Sequence, residues 1–598
     1  MSLIARTTSL CLLLTAAFAI EASASDMQEP QLTASATIGR STNDPTERKE
    51  TPIVKKRETS PLTRVGVQSG DPLPITLNDA IQRALQNNND ISISRTDVQI
   101  AETSVRSRKG IYDPVVSFSP TITHNQTTGN PGTNDLRVAS SLSQFIQPGG
   151  GSVTGFFNNN RTENAFAQAQ ASSGSVSSGG NSAIYTSSLG VNYTQPLWRN
   201  FNIDSKRQAI KVAKKQLAQS DTDFRLQATS TIASVQRAYW DLVFSLRDQQ
   251  NQVANLNLAK ENLRQIEARI AAGAAAPLAK AEVETELANR EGALLSATQQ
   301  VSIAENSLKL LIFGDPNSAE WGSTLVPTDK PATIVDPADL DVAMKDAMDN
   351  RFELRRLKLA TEINKIDLKY LKNQTKPQID LNTSFSLDGL SRGAGSTAST
   401  FVSQFTGNEE ILRTKLNTLF APGSQLLNPL IEIPGTPQYY IGGFNRSWAN
   451  MFRSDAPNYS VGVTISFPLR NRTAKANYEA AKLTTDRLAA QTRSQEQAII
   501  VEVRNAVQGV ETARQRVLTA RRARESAETQ LDGERKLYDA GRSTSFLLFQ
   551  RENSLANARN SEIRAETDLN KAIAELQRVT ATSFRVYNIT LDSPVEIK

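Results

Sequence analysis

Apolar and small polar residues alternate strictly from Tyr459 to Phe467. Tyr459, Val461, Val463, Ile465 and Phe467 take one side, and Ser460, Gly462, Thr464 and Ser466 the other. A period of two predicts a β-strand with one apolar and one polar face. A run of about nine such residues, tilted, is long enough to cross a bilayer within a β-barrel. Pro468 closes it, because proline donates nothing to a ladder. The same alternation occurs three more times. Val116, Phe118 and Ile122 alternate with Ser117, Ser119, Thr121 and Thr123, interrupted by Pro120, which an edge or bulge tolerates. Leu189, Val191 and Tyr193 alternate with Ser188, Gly190, Asn192 and Thr194 and end at Pro196. Ile379, Leu381, Phe385 and Leu387 alternate with Asp380, Asn382, Ser384 and Ser386. Strands are therefore expected near 112–124, 186–197, 378–388 and 459–469.

Between the strands the period changes to that of helices. Thr76 is a candidate N-cap with Asp79 as capping-box partner, and Leu77, Ala80, Ile81, Ala84 and Leu85 form an apolar stripe continuing to Gly110. From Asp204 to Ile270, Ile232, Val235, Tyr239, Leu242 and Leu246 begin a heptad seam. At ~1.5 Å per residue this helix would be on the order of 100 Å long. Ala271-Ala272-Gly273 breaks it, Pro277 opens a second helix, and the pair predicts an antiparallel hairpin over 204–314.

The pattern then repeats. Leu340, Ala343, Met344, Ala347 and Met348 reproduce the first stripe, and Pro377 lies 263 positions after Pro114. Pro468-Leu469 follows Pro196-Leu197 by 272, and Gly541 follows Gly273 by 268. The drift falls in loops, where insertions are tolerated. The first unit is expected at 71–325, with a loop over 125–184, and the second at 326–580, with a loop over 389–457 and a hairpin over 472–580; residues 581–598 are left as a tail. Within the first loop, segments 138–146 and 153–157 flank Gln147-Pro148-Gly149-Gly150-Gly151 and read as an extra hairpin, inside or beyond the main sheet.

Composition narrows the setting. Arg6, the apolar run Leu10–Ile20 and Ala22-Ser23-Ala24 form a signal peptide over 1–24, followed by a disordered leader over 25–70. Cys11 is the sole cysteine and His124 the sole histidine, so neither thiolate sites nor histidine triads are available after the signal. No metal, cofactor or catalytic residue set is expected. The +6 charge is dispersed over helix faces without interleaved aromatics, which argues against nucleic acid. No twenty-residue apolar run follows the signal, so a membrane could be spanned only as a barrel. Four strands cannot close one. Several chains must pool them, two giving eight and three giving twelve.

The order helix, strand, strand, long helical hairpin, twice over, resembles the TolC-like outer-membrane efflux proteins. Ile75-Thr76-Leu77, Gln195-Pro196-Leu197, Phe467-Pro468-Leu469, Ala272-Gly273 and Ala540-Gly541 carry the resemblance, which covers roughly 71–580. It implies a mixed α and β membrane protein: a homotrimer whose 12-stranded barrel in outer-membrane lipid continues into a periplasmic α-helical barrel. It also implies passive conduction of cargo supplied by a periplasmic adaptor and an inner-membrane pump or ABC exporter. By resemblance, adaptors dock at Gly273, Ala274, Ala275, Gly541, Arg542 and Ser543. The aperture falls at Tyr538, Leu547 and Gln550; where the family's type member has acidic tips, Leu547 and Gln550 stand here, and Ala279 in the first copy. Closure by packing around Leu547 is expected instead. The competing reading is a non-transporting envelope protein whose coiled coils act as spacers.

Overall fold

The computed structural model describes residues 72–126, 128, 132–163, 183–273, 276–332, 336–393, 397–405, 407–453 and 455–591. The signal and leader lie outside them. Strand β1 (Leu73–Ile75) leads into α1 (Leu77–Asn87) through the expected capping box, with Thr76 Oγ1 accepting from Asp79 N at 3.1 Å. The expected unbroken helix is divided at Asn88, whose extended backbone ends α1. Its side chain accepts from Asp90 N and Ile91 N to start α2 (Asn89–Lys109). Asn88 is equivalent by repeat to Arg351, which separates α5 (Leu340–Asn350) from α6 (Phe352–Gln374). Both side chains donate to a carbonyl at the end of their own unit's hairpin, Asn88 to Leu311 O at 3.1 Å and Arg351 to Val579 O at 3.3 Å.

One antiparallel sheet holds six strands: β2 (Val115–Asn125), β3 (Thr133–Phe145), β4 (Ser152–Glu163), β5 (Ala183–Pro196), β7 (Gln378–Arg392) and β10 (Pro457–Ser466). Their spatial order is β10-β7-β5-β4-β3-β2. This corrects both the loop expected over 125–184 and the count of four strands per chain. The Gly-rich turn closes a hairpin, β3–β4, that enters the sheet between β2 and β5. The second loop, 389–457, is also structured in part. β7 runs on to Arg392, and β8 (Thr400–Ser403), α7 (Gly407–Asn417), β9 (Leu430–Ile433) and α8 (Phe444–Phe452) follow. Pro120 and Pro457 both sit in edge strands, the position that dispenses with an inward N–H.

The first long hairpin pairs α3 (Ser205–Ala271), 67 residues long, with α4 (Leu278–Ile312). The second pairs α9 (Arg472–Asp539), 68 residues, with α10 (Ser545–Val579). Each seam is apolar; in the second it is built by Val510, Ala513, Val517, Ala565 and Leu569. Among the described residues no helix is long and apolar enough to cross a membrane.

The largest core lies where α1, α2, α3 and α4 converge with β1 and β6 (Leu325–Pro327), which pair in parallel. Sequence reading missed this pairing, since three-residue strands have no period. The last helix, α11 (Ser583–Val586), brings Phe584, Tyr587, Ile589 and Leu591 onto that same core, so the segment from 581 to 591 is packed and not a free tail.

Candidate functional site

Register divides the six-stranded sheet into two chemically distinct faces, because residues paired across strands share a face. Tyr459, Phe385, Val191, Gly155, Leu142 and Val116 form one row. The next row on the same face is Pro457, Leu387, Leu189, Phe157, Ser140 and Phe118. On the opposite face lie Ser460, Ser384, Asn192, Thr154 and Ser143, with Val115 at the β2 end of the row. Hydroxyls and amides there bridge the strands, as in Ser384–Ser460 at 2.8 Å, Asn382 Nδ2 to Thr464 Oγ1 at 2.9 Å and Thr194 Oγ1 to Asn382 Oδ1 at 3.1 Å. The inserted hairpin keeps this division, with Ser117–Ser141 at 2.7 Å on the polar face. The polar face's bulky exceptions include Val115, Phe145, Phe156 and Leu390; Phe156 lies over Gly190, where an added Cβ would stand 2.6 Å from its ring. One face can meet hydrocarbon and the other water, and the polar one has the chemistry of a hydrated channel wall.

At the far end of each hairpin the chain turns on a glycine. Gly273 and Gly541 both have φ +71°, with open space where a side chain would stand. At the second tip, Gly541 N donates to Tyr538 O at 3.0 Å and Arg542 N to Leu537 O at 2.9 Å, a Schellman closure. Gly541→Ala should therefore cost ~1–2 kcal/mol from its left-handed backbone alone. A thermal melt read by proteolysis at the tip would detect it, and no change would mean the turn adapts freely. Ala274 and Ala275, the other proposed docking residues of the first tip, lie outside the described residues. Arg542 is exposed, and Ser543 donates to Glu534.

The tips share a feature that sequence reading missed. Leu278 and Phe546 each stand five positions after the tip glycine, and they are 72% and 68% exposed. Repeat equivalence could have exposed the pair, had the positions five after each tip glycine been compared. Leu547 is 38% exposed while its neighbour Leu548 is buried, so Leu548, not Leu547, is the inward-facing leucine of this turn. Leu547 and Gln550 occupy one exposed stripe of α10.

The two hairpins meet through polar contacts. Near the tips, the Arg269 guanidinium stacks on the Tyr538 ring at 4.6 Å, Asn262 Nδ2 donates to Glu552 at 3.0 Å, and Arg290 donates to Asn553 and pairs with Glu286. Farther back, Asn560 donates to Asp248 at 2.9 Å and Arg247 to Glu566 at 3.0 Å. Burial pushes the Glu552 carboxyl above its usual range, against the opposing pull of Asn262. An acid held protonated by folding favours the packed state at low pH. That advantage begins to fade at the ordinary carboxylate value of 4.5 and is gone above the raised one. The contact at the tips should loosen as pH rises through this window. Tip proteolysis followed against pH would show it, and Glu552→Gln should flatten the profile.

A two-faced sheet of membrane length, fed directly into paired hairpins, agrees with the matched family. The profile of the outer membrane efflux protein family matches residues 162–312 and 438–582, the same part of each repeat. The chain belongs to that family. Its place is the cell outer membrane, with extension into the periplasm. The family consists of channel proteins, in keeping with a chain built for passage. The fold is similar to that of the outer-membrane channel OprN, at 17% identity and TM-score 0.56 over 85% of this chain and 90% of that one. It is also similar to the outer membrane protein VceC from Vibrio cholerae, at 14% and 0.55 over 84% and 95%. A third likeness is to the open state of the Neisseria gonorrhoeae channel MtrE, at 14% and 0.54 over 84% and 88%. Comparison with curated proteins gives no match.

Proposed function

We infer that this efflux-family protein is the outer-membrane duct of a tripartite efflux or secretion system. Three subunits pool their sheets into one barrel and their hairpins into a helical tunnel. Cargo passes without being chemically changed or specifically bound; an inner-membrane pump or ABC exporter supplies the energy, and a periplasmic adaptor joins pump to duct. The observation that carries this reading is the polar face shared by all six strands, backed by an apolar face. A spacer protein has no use for that division. Ion conductance by the purified protein in planar bilayers is the test, and a protein that never conducts would favour the spacer reading.

The helix tips serve as a closable aperture and as the adaptor's docking point. Support comes from the contrast between interfaces: each hairpin is sealed by apolar residues, whereas the hairpins are joined to each other by exchangeable polar contacts. Water can replace such hydrogen bonds at a net cost of about 0.5–1.5 kcal/mol each. Leu278 and Phe546 offer an adaptor two apolar knobs per subunit. Replacing both with aspartate should remove adaptor cross-linking and export while leaving the oligomer intact; retained cross-linking would place docking elsewhere. Leu547→Asp should raise conductance by repulsion between subunits if Leu547 lines the closed aperture, and unchanged conductance would remove it from that role.

A further inference from the structure

We propose that the barrel has 18 strands, six from each of three subunits, closed by pairing β10 of one subunit with β2 of the next; this rests on the channel reading above. The chain's sheet is a continuous six-strand meander in which every neighbouring pair is antiparallel. With an even number of strands, its two edges run in opposite directions, so copies joined edge to edge stay antiparallel throughout. The edges match in length, 11 residues in β2 and 10 in β10. Apart from Val115 at the start of β2, their apolar side chains lie on one face and are exposed, Val116 and Ile122 on one edge and Val461 and Ile465 on the other. In hydrocarbon such edges cannot stay unpaired, since every free N–H and C=O costs several kcal/mol, and a second copy is the occupant that supplies the complementary edge.

The strand count depends on β3–β4 lying inside the barrel wall, and a second observation seats it there. The hairpin's turn rests on the start of α3. Gly149 O accepts from Gln195 Nε2 at 2.9 Å, and the Lys206 ammonium lies 3.0 Å from the centre of the Phe145 ring. At Gly150, φ is +72° and an added Cβ would stand 2.9 Å from the backbone oxygen of Asn200, so the left-handed turn and the fixed carbonyl together favour glycine. The turn is thus built into the junction of sheet and helices. At ~4.8 Å between strands and a tilt near ~40°, 18 strands enclose a backbone diameter of ~36 Å, against ~24 Å for twelve. The barrel is then about twice as large in cross-section as a 12-stranded one, and size selection falls to the helix tips.

Cysteine pairs in a Cys11→Ser background test this in the full-length protein purified from outer membranes. Val116→Cys combined in turn with Val461→Cys, Val463→Cys and Ile465→Cys should, for the pair in register, give near-complete conversion to covalent trimers on denaturing gels. A ladder ending at the dimer would mean twelve strands from two chains and would overturn the proposal, as would the absence of any inter-chain bridge. Phe118→Cys with Leu189→Cys is the converse probe. These residues share a row but stand three strands apart, ~14 Å, beyond the ~7 Å limit of a disulfide. If the hairpin lay outside the wall, β2 would pair with β5 and an intrachain bridge would form, overturning the count. Bilayer conductance of the unmodified protein reports on the channel reading separately: a conducting protein that forms the 118–189 bridge keeps its function and loses the 18 strands.

Discussion

The triple variant Tyr538→Ala, Glu552→Ala, Asn553→Ala is expected to conduct far more than the native protein in planar bilayers, with oligomer and expression unchanged. All three residues lie on the second hairpin and face the first, through Arg269, Asn262 and Arg290. The apolar seam of the second hairpin does not include them. The stack of arginine on tyrosine is worth ~1 kcal/mol, and each of the two hydrogen bonds ~1 kcal/mol net. Losing about 3 kcal/mol of closed-state preference shifts the open-to-closed ratio by roughly two orders of magnitude. The single variants should each give less, with Glu552→Ala separable from the others because it alone removes a carboxyl. If the triple variant conducts as the native protein does, the hairpin-to-hairpin contact is not what holds the aperture closed, and the stripe of Leu547 and Gln550 becomes the remaining candidate.

What the sequence disclosed and what it withheld follow from the range of the interactions. Strands and helices declared themselves because burial on one side imposes a period, and Val463 or Ile232 can be read without knowing any partner. The repeat added register, and even the turn glycines, at Gly273 and Gly541. The hairpin β3–β4 was half legible. Its turn residues were evident, but Leu136, Val138, Leu142, Val153 and Phe157 do not tell whether the strand they form joins a sheet or projects from it. That is decided by pairing with β2 and β5, which flank the hairpin across loops of no fixed pattern, and by Gly150 settling against Asp204. The break at Asn88 was missed because the apolar stripe runs on through it while the backbone does not. The aperture was read by resemblance alone. The contacts at its tips join side chains nearly three hundred positions apart, and no local pattern encodes Asn262 meeting Glu552.

The same reasoning points to the residue pair whose loss should harm the fold most. Lys309 and Glu305 lie one turn apart on α4 with relative exposures of only 0% and 1%, in the core beneath β6. The Lys309 ammonium is 3.4 Å from the Glu305 carboxylate and donates to Trp321 O at 2.8 Å, while Glu305 accepts from Leu325 N at 2.8 Å. Gln577 and Ile573 stand at the repeat-equivalent positions, so the pair belongs to the first unit alone. It does so because only there must a three-residue strand be held against β1. Lys309→Met takes the lysine's positive charge from a buried ion pair, and breaking such pairs costs about 3–5 kcal/mol. The expected result is faster hydrogen exchange at the amides of β1 and β6 and release of the residues around Leu325 to protease. Adding Glu305→Gln to Lys309→Met should restore most of the protection, since glutamine still accepts from Leu325 N and carries no charge. Were the double variant as unstable as the single one, packing by the lysine stem, and not the buried charge, would be what secures β6.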